Sequence, residues 1–274
     1  MSEAWREGDV RIDDATIHYY RRGSGPPVVL AHGALDDGRC WTRVAEALSS
    51  EYDLIAYDAR FHGKSDGLTS RSGTEPGRGM RRGADDLVGV VEALGIERPY
   101  AIGHSMGAGT VASALAARPE LIRAAVLEDP AWPEAALDPA VAGSFMKLFA
   151  DSLSGKSVDE LVAMCAETNP TWDPTEYVPW AESKAVFRGS DVISGSGVGR
   201  EDWASLCAAF RVPVLLVCGG NEARGRIVPP SVAARAGELC PTLESVCLEQ
   251  AGHNVRREAY DEYVAVVRAF LRSN

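Results

Sequence analysis

The residue best suited to covalent chemistry is a serine, Ser105, in the run Gly-His-Ser-Met-Gly at residues 103–107. An apolar run, Tyr100–Ile102, precedes it, and an alanine-rich stretch, Ala108–Ala117, follows it. This order predicts a strand, a sharp turn and a helix. Such a turn exposes the serine hydroxyl, and its glycines let the strand and the helix approach closely. The flanking elements make the pattern specific, so we predict that Ser105 is a nucleophile.

A serine hydroxyl attacks well only when a base accepts its proton, and histidine suits that role near neutral pH. The chain has five histidines. His18 falls in a predicted early strand, and His32 and His62 belong to loop motifs. The side chain of His104 would point away from Ser105 on so tight a turn. His253 remains, late in the chain, and we predict that it is the general base.

Attack on a carbonyl creates an oxyanion, which needs backbone donors placed in advance. The N–H of Met106 is one candidate, because this residue follows the nucleophile at the start of a helix. The N–H of Ala34 is the other, because Gly33 would let its loop bend inward. We therefore predict an oxyanion hole formed by Ala34 and Met106.

These residues must be positioned by a framework of strands and helices. Seven apolar runs are predicted strands: residues 17–21, 27–31, 54–57, 100–102, 124–127, 213–218 and 243–248. Amphipathic helical stretches alternate with them, which indicates a mostly parallel sheet covered on both faces. Ligands of such sheets bind beyond the carboxyl ends of the strands, where the segments after residues 31, 102 and 248 would meet. Strand patterns vanish between 132 and 209, and helical patches there suggest a cap over these strand ends.

Four motifs resemble the α/β-hydrolase fold superfamily: HGA at residues 32–34, GHSMG at 103–107, DARFHGKSD at 58–66 and AGHN at 251–254. The resemblance covers nearly the whole chain in the family's order. It implies an eight-stranded, mostly parallel sheet with helices on both faces and a helical cap insertion. We expect a hydrolase core at residues 1–131 and 210–274, with the cap at 132–209. Phe61 departs from the family pattern, which usually has glycine at that position.

The resemblance leaves two positions for the acid that would orient His253. The family usually places this acid after the strand that is Pro213–Cys218 here, where Glu222 stands. A second family position lies one strand earlier, where Asp129 follows the run that ends at Leu127. We favour Asp129 and keep Glu222 as the alternative, since either strand end could bring a carboxylate to the imidazole.

Composition excludes several classes of protein. The net charge of −11 argues against general binding to nucleic acid or to anionic membranes. The N-terminus lacks the apolar core of a signal peptide, and no apolar run approaches the roughly 20 residues that span a bilayer. The six cysteines form no C-x-x-C pair, so we expect free thiols in a reducing cytoplasm.

No cofactor or metal ion is expected. The Gly-Lys-Ser triplets at Gly63 and Gly155 lack the upstream glycine of a phosphate-binding loop. The glycines between Gly195 and Gly199 lack the last glycine of a dinucleotide motif, and no strand precedes them. No group of His, Cys and Asp has metal-ligand spacing.

These residues predict a cofactor-independent serine hydrolase acting on a small ester, lactone or related carbonyl compound. Trp132, Phe145 and Trp180 would give the cap an apolar or aromatic substrate pocket. Within the α/β-hydrolase fold superfamily, haloalkane dehalogenases and epoxide hydrolases use an aspartate nucleophile at the position of Ser105. Carbon–carbon bond hydrolases, cofactor-free haloperoxidases and acyltransferases keep the serine and are alternatives. A non-hydrolytic small-molecule receptor or lyase is an alternative of another class.

Overall fold

The computed structural model describes residues 4–66, 79–134, 139–187 and 202–274. Eight strands of this part form one sheet in the order β1-β2-β4-β3-β5-β6-β7-β8. They are β1 (Arg6–Ile12), β2 (Ala15–Gly23), β3 (Pro27–Ala31), β4 (Asp53–Tyr57), β5 (Tyr100–His104), β6 (Ala125–Glu128), β7 (Val214–Gly219) and β8 (Leu243–Leu248). β2 is antiparallel to β1 and β4, and the other neighbouring strands are parallel. The predicted mostly parallel, eight-stranded sheet is confirmed.

The central strands bury both of their faces. In β3, Val29 and Ala31 belong to one hydrophobic cluster, whereas Val28 and Leu30 belong to the cluster on the opposite face. Successive side chains of a strand point to opposite faces, so a strand covered on both sides must be apolar throughout. This requirement explains the uninterrupted apolar run of β3.

Helices cover both faces of the sheet, as predicted. In the described ranges they are α1 (Thr42–Leu48), α2 (Gly79–Ala93), α3 (Met106–Ala117), α4 (Pro139–Leu153), α5 (Val158–Thr168), α6 (Tyr177–Val186), α7 (Trp203–Ala209), α8 (Pro230–Leu239), α9 (Val255–Glu258) and α10 (Tyr260–Ser273). Helices α2, α3, α7 and α8 contribute buried residues to one cluster, and α1 and α10 contribute to the other. No helix in these ranges is long and apolar enough to cross a membrane.

Helices α4, α5 and α6 lie between β6 and β7 in the chain and have a hydrophobic cluster of their own. We call these three helices, with the turn Pro174–Glu176 before α6, the insert. The insert's cluster contains Trp172 and Trp180, and it also contains Leu35 from the loop after β3. Helix α7 instead packs with α3 in the cluster of the sheet. The glycines from Gly195 to Gly199 lie outside the described residues.

Candidate active site

Ser105 occupies a strained turn between β5 and α3. Its backbone has φ of 52° and ψ of −114°, a conformation that residues other than glycine rarely adopt. A Cβ on Gly103 would lie 2.3 Å from the carbonyl oxygen of Gly107, and a Cβ on Gly107 would lie 2.1 Å from that of Ala31. The two glycines therefore allow the strand–helix crossing that forces Ser105 into this turn.

The turn is fixed to the neighbouring strand and opens a helix. The N–H of Ser105 donates to the carbonyl oxygen of Glu128 at the end of β6, at 2.9 Å. Met106 is the first residue of α3, and the first N–H groups of a helix have no partner within it. The backbone donor predicted for Met106 is thus adjacent to Ser105.

The loop that carries Ala34 lies directly against the turn. A Cβ on Gly33 would come within 2.6 Å of His104 Nδ1 and 3.5 Å of Ser105 Cβ, so only glycine permits this approach. The N–H of Asp36 donates to the carbonyl oxygen of Gly33 at 3.1 Å and closes a tight turn around Ala34. The structure therefore brings Ala34 and Ser105 close together.

His62 holds the same loop, a role that the sequence did not reveal. Its Nε2 accepts the N–H of Leu35 at 3.1 Å, while its Nδ1 lies 2.8 Å from the carbonyl oxygen of Arg60. Burial lowers the pKa of His62 to about 3, with a further contribution from His32, so Nε2 stays an acceptor at neutral pH. The preceding Phe61 has φ of 68°, a conformation that glycine would adopt without strain.

Asp129 contacts the ring of His253. Its Oδ2 lies 2.7 Å from His253 Nδ1, and the carboxylate also accepts the N–H groups of Ile227 at 2.9 Å and Val228 at 3.0 Å. Asp129 is fully buried and has φ of 38°. Three hydrogen bonds thus fix one carboxylate against the imidazole, and His253 must present Nε2 to any reacting group.

Glu222 has a different environment. It begins a short 3-10 turn after β7, its side chain is 85% exposed, and its carboxylate pairs with Arg226 at 3.3 Å. Among the described residues, no hydrogen bond links Glu222 to His253. The loop after β7 reaches the site through its backbone, since the N–H groups of Ile227 and Val228 bind Asp129.

His104 connects the segment of His253 to the turn of Ser105. Its Nε2 donates to the carbonyl oxygen of His253 at 3.0 Å, and the two rings lie 4.8 Å apart. Burial holds the pKa of His104 well below its usual range, and Arg256 and His253 lower it further, so the ring is neutral. No hydrogen bond joins the described side chains of Ser105 and His253. Such bonds are often long before substrate binds.

The predicted pocket residues have different surroundings. Trp132 is buried with its ring stacked on Trp203, at a centroid distance of 5.7 Å. Trp180 belongs to the insert's cluster and lies under the Lys184 ammonium, 4.9 Å away. The side chain of Phe145 lies outside the described part of the chain. The described side chains contain no group of three or more His, Cys, Asp or Glu residues that could hold a metal ion.

Comparisons with known proteins agree with this architecture. A model of the alpha/beta hydrolase fold family matches residues 26–256. N-formylmaleamate deformylase of Pseudomonas putida is 27% identical over 99% of this chain and 98% of its own. The 2-(acetamidomethylene)succinate hydrolase of Mesorhizobium japonicum is 26% identical over 96% of this chain and 94% of its own. A crystal structure of E-2-(acetamidomethylene)succinate hydrolase superposes with a TM-score of 0.82 at 22% identity, over 98% of this chain and 99% of that one.

Proposed function

This chain belongs to the alpha/beta hydrolase family, and from that premise we propose that it is a serine hydrolase of a small ester, lactone or related carbonyl compound. The main support is the pairing of Asp129 Oδ2 with His253 Nδ1 at 2.7 Å, with Asp129 directly after β6, the strand that pairs with β5 before the strained Ser105. A carboxylate, an imidazole and a serine are the three groups that acyl transfer requires.

The proposed reaction uses Ser105, His253 and Asp129 together. His253 Nε2 accepts the hydroxyl proton as Ser105 Oγ attacks the carbonyl carbon, and Asp129 stabilises the imidazolium. The N–H groups of Ala34 and Met106 bind the oxyanion of the tetrahedral intermediate. As this intermediate collapses, its leaving group takes the proton from His253 and an acyl-enzyme remains. Water, activated by His253, then releases the acid and restores Ser105.

Cleavage of an N-acyl bond is a second candidate, and the names of the two relatives favour it. One is named for removing the formyl group of N-formylmaleamate, and the other for hydrolysing a compound with an acetamido group. The same acyl-enzyme forms from an ester or from an N-acyl compound, and only the leaving group differs. The substrate panel for this chain should therefore include N-formyl and N-acetyl compounds beside esters and lactones.

The insert would serve as the cap that shapes the substrate pocket. Its apolar cluster contains Leu35, the residue after Ala34, which supports a cap next to the predicted oxyanion hole. Such surroundings suit an apolar or aromatic acyl group. We propose that Trp180 of the insert contacts this group. Phe145 and Trp132 are further proposed contacts. A cytoplasmic location is part of the proposal, since all six cysteines are free thiols.

The decisive experiment is labelling with a fluorophosphonate probe, followed by peptide mapping. We expect the label on Ser105, because the probe phosphonylates only a serine that a neighbouring base activates. Ser105→Ala is the control and should abolish both labelling and turnover of p-nitrophenyl acetate. A labelled residue elsewhere, or full turnover by Ser105→Ala, would overturn the proposal.

A further inference from the structure

Asp36 is a buried carboxylate that faces three cations. Its side chain is 4% exposed and contacts Lys184 Nζ through Oδ1, while Arg256 Nη2 and Arg257 Nη2 each donate to Oδ2 at 3.1 Å. Burial alone would raise its pKa, but Arg257, Lys184 and Arg256 together hold that pKa well below its usual range. Asp36 is therefore ionised at neutral pH.

The surrounding charges balance. Arg256 also pairs with Glu128 at 3.3 Å, and Arg257 pairs with Glu176 at 3.2 Å. The side chains of these three carboxylates and three cations are at most 5% exposed. A buried network of this kind demands defined geometry, because an unpaired member is costly. We call these six residues the Asp36 network.

The Asp36 network contacts each loop of the proposed active site. Asp36 closes the turn around Ala34 by donating its N–H to the carbonyl oxygen of Gly33. Glu128 precedes the proposed acid, and its carbonyl oxygen accepts the N–H of Ser105. The backbone N–H of Arg256, three residues after His253, donates to Glu128 Oε1 at 2.9 Å.

The same network reaches the insert. Lys184 lies on α6, and Glu176 lies in the turn just before that helix. Leu35, between Ala34 and Asp36, packs in the cluster of the insert. The loop that carries Ala34 is thus held by the insert twice, through an apolar contact at Leu35 and through a buried ion pair at Asp36.

We propose that Lys184 is a positioning residue which, through Asp36, makes the oxyanion-hole loop depend on correct seating of the insert. This inference rests on the proposed function. Without the Lys184 ammonium, Asp36 would move towards its two arginines, and the turn from Gly33 to Asp36 would move with it. A displacement of about 1 Å in a group that positions the reaction can cost about a hundredfold in rate.

The test compares Lys184→Met and Lys184→Arg with a matched control, Glu182→Gln. Glu182 is on the same helix and forms another contact between the insert and the core, an ion pair with Arg39 at 2.5 Å. The measurements are kcat and KM for p-nitrophenyl acetate and the affinity for phenylboronic acid, whose adduct on serine resembles the tetrahedral intermediate. Amide hydrogen exchange of the peptide covering residues 32–40 gives a readout that does not require activity.

We expect Lys184→Met to lower kcat and the boronic acid affinity by the same factor, about tenfold to a hundredfold, with little change in KM. Lys184→Arg should recover part of both losses, and Glu182→Gln should resemble the wild type. Exchange at residues 32–40 should accelerate most in Lys184→Met, less in Lys184→Arg, and not at all in Glu182→Gln. If Lys184→Met is too unstable to purify, Lys184→Arg is compared with Glu182→Gln instead. The same differences in kcat, boronic acid affinity and hydrogen exchange are then expected, but smaller.

The inference is overturned if the lysine variants match the wild type in kcat, in boronic acid affinity and in hydrogen exchange, and differ from it only in a lower melting temperature. If the wild type neither hydrolyses esters nor reacts with fluorophosphonate, the proposed function has failed instead. Hydrogen exchange would then still decide whether Lys184 holds the loop.

Discussion

Three residues with a strained backbone lie in the segments that form the proposed site. Leu35, Ser105 and Asp129 have φ of 64°, 52° and 38°, the region that favours glycine. Each such residue costs about 1–3 kcal/mol and persists only where its surroundings impose it. Here a side chain or backbone partner fixes each residue: His62 for Leu35, the carbonyl oxygen of Glu128 for Ser105, and the loop after β7 for Asp129.

The two candidate acids can be separated by matched amide substitutions. Asp129→Asn should lower kcat by about 10⁴-fold, because an amide cannot hold the imidazole in the required tautomer or stabilise the imidazolium. Glu222→Gln should leave kcat unchanged, since its carboxylate is exposed and pairs with Arg226. The measurement is steady-state hydrolysis of p-nitrophenyl acetate, with circular dichroism to verify folding. A large loss in Glu222→Gln with an active Asp129→Asn would reverse the assignment.

Sequence reasoning could name candidates at the residue scale but not choose between all of them. Ser105 and His253 stand out because local pattern and chain order single them out. Asp129 was favoured, but Glu222 stayed open as the alternative, because the two N–H groups that bind the Asp129 carboxylate lie 98 and 99 residues away in the sequence. The roles of His62 and Asp36 were missed for the same reason, since their partners come from distant segments.

At the scale of elements, the close approach of two loops depends on glycine. Gly33→Ala would place a methyl group 2.6 Å from His104 Nδ1, and His104 supports the backbone of His253. We expect this variant to lose activity and to be destabilised by about 1–3 kcal/mol, the usual range for overpacking. Urea denaturation and ester hydrolysis measure the two effects.

Gly237→Ala is the matched control for that substitution. Gly237 lies in α8, and a Cβ there would meet no atom within 4 Å. Alanine should stabilise the helix by about 0.5–1 kcal/mol without changing kcat. Equal effects of the two substitutions would show that the contact between Gly33 and His104 has no special importance.

Whether an element could be predicted from the sequence depended on how deeply it is buried. The parallel strands are continuously apolar because both faces are covered, so runs such as β3 were recognised. β1 was not, since four of its seven residues are charged and only Ile12 is buried. The helix at Trp203 was assigned to the cap, yet it packs on α3; its amphipathic pattern does not specify which surface it covers.

For the whole molecule, buried neutral histidines make stability depend on pH. The pKa of His62 falls from 6.5 to about 3 on folding, so the unfolded chain binds more protons between these values. This contribution is fully present above pH 6.5 and is lost as the pH falls towards 3. His104 acts in the same direction, because its pKa is also lowered by burial.

His62→Gln isolates one of these histidines while keeping an acceptor for the N–H of Leu35. Between pH 6 and pH 5, the free energy of unfolding should fall less steeply in this variant than in the wild type. The two slopes should differ by about 1 kcal/mol per pH unit. Urea denaturation at several pH values provides the slopes. Parallel curves for the two proteins would contradict the expected state of His62.

The balanced charges of the Asp36 network also constrain any attempt to retarget the protein by recombination. Chimaeras made by grafting a foreign segment between β6 and β7 would change the pocket but would also remove Glu176 and Lys184. A donor segment without residues equivalent to Glu176 and Lys184 would leave Arg257 and Asp36 each without one buried counter-ion. This loss would occur whatever substrate the new pocket could accommodate. Libraries of such grafts should therefore retain one acid and one base at these two positions as a coupled pair.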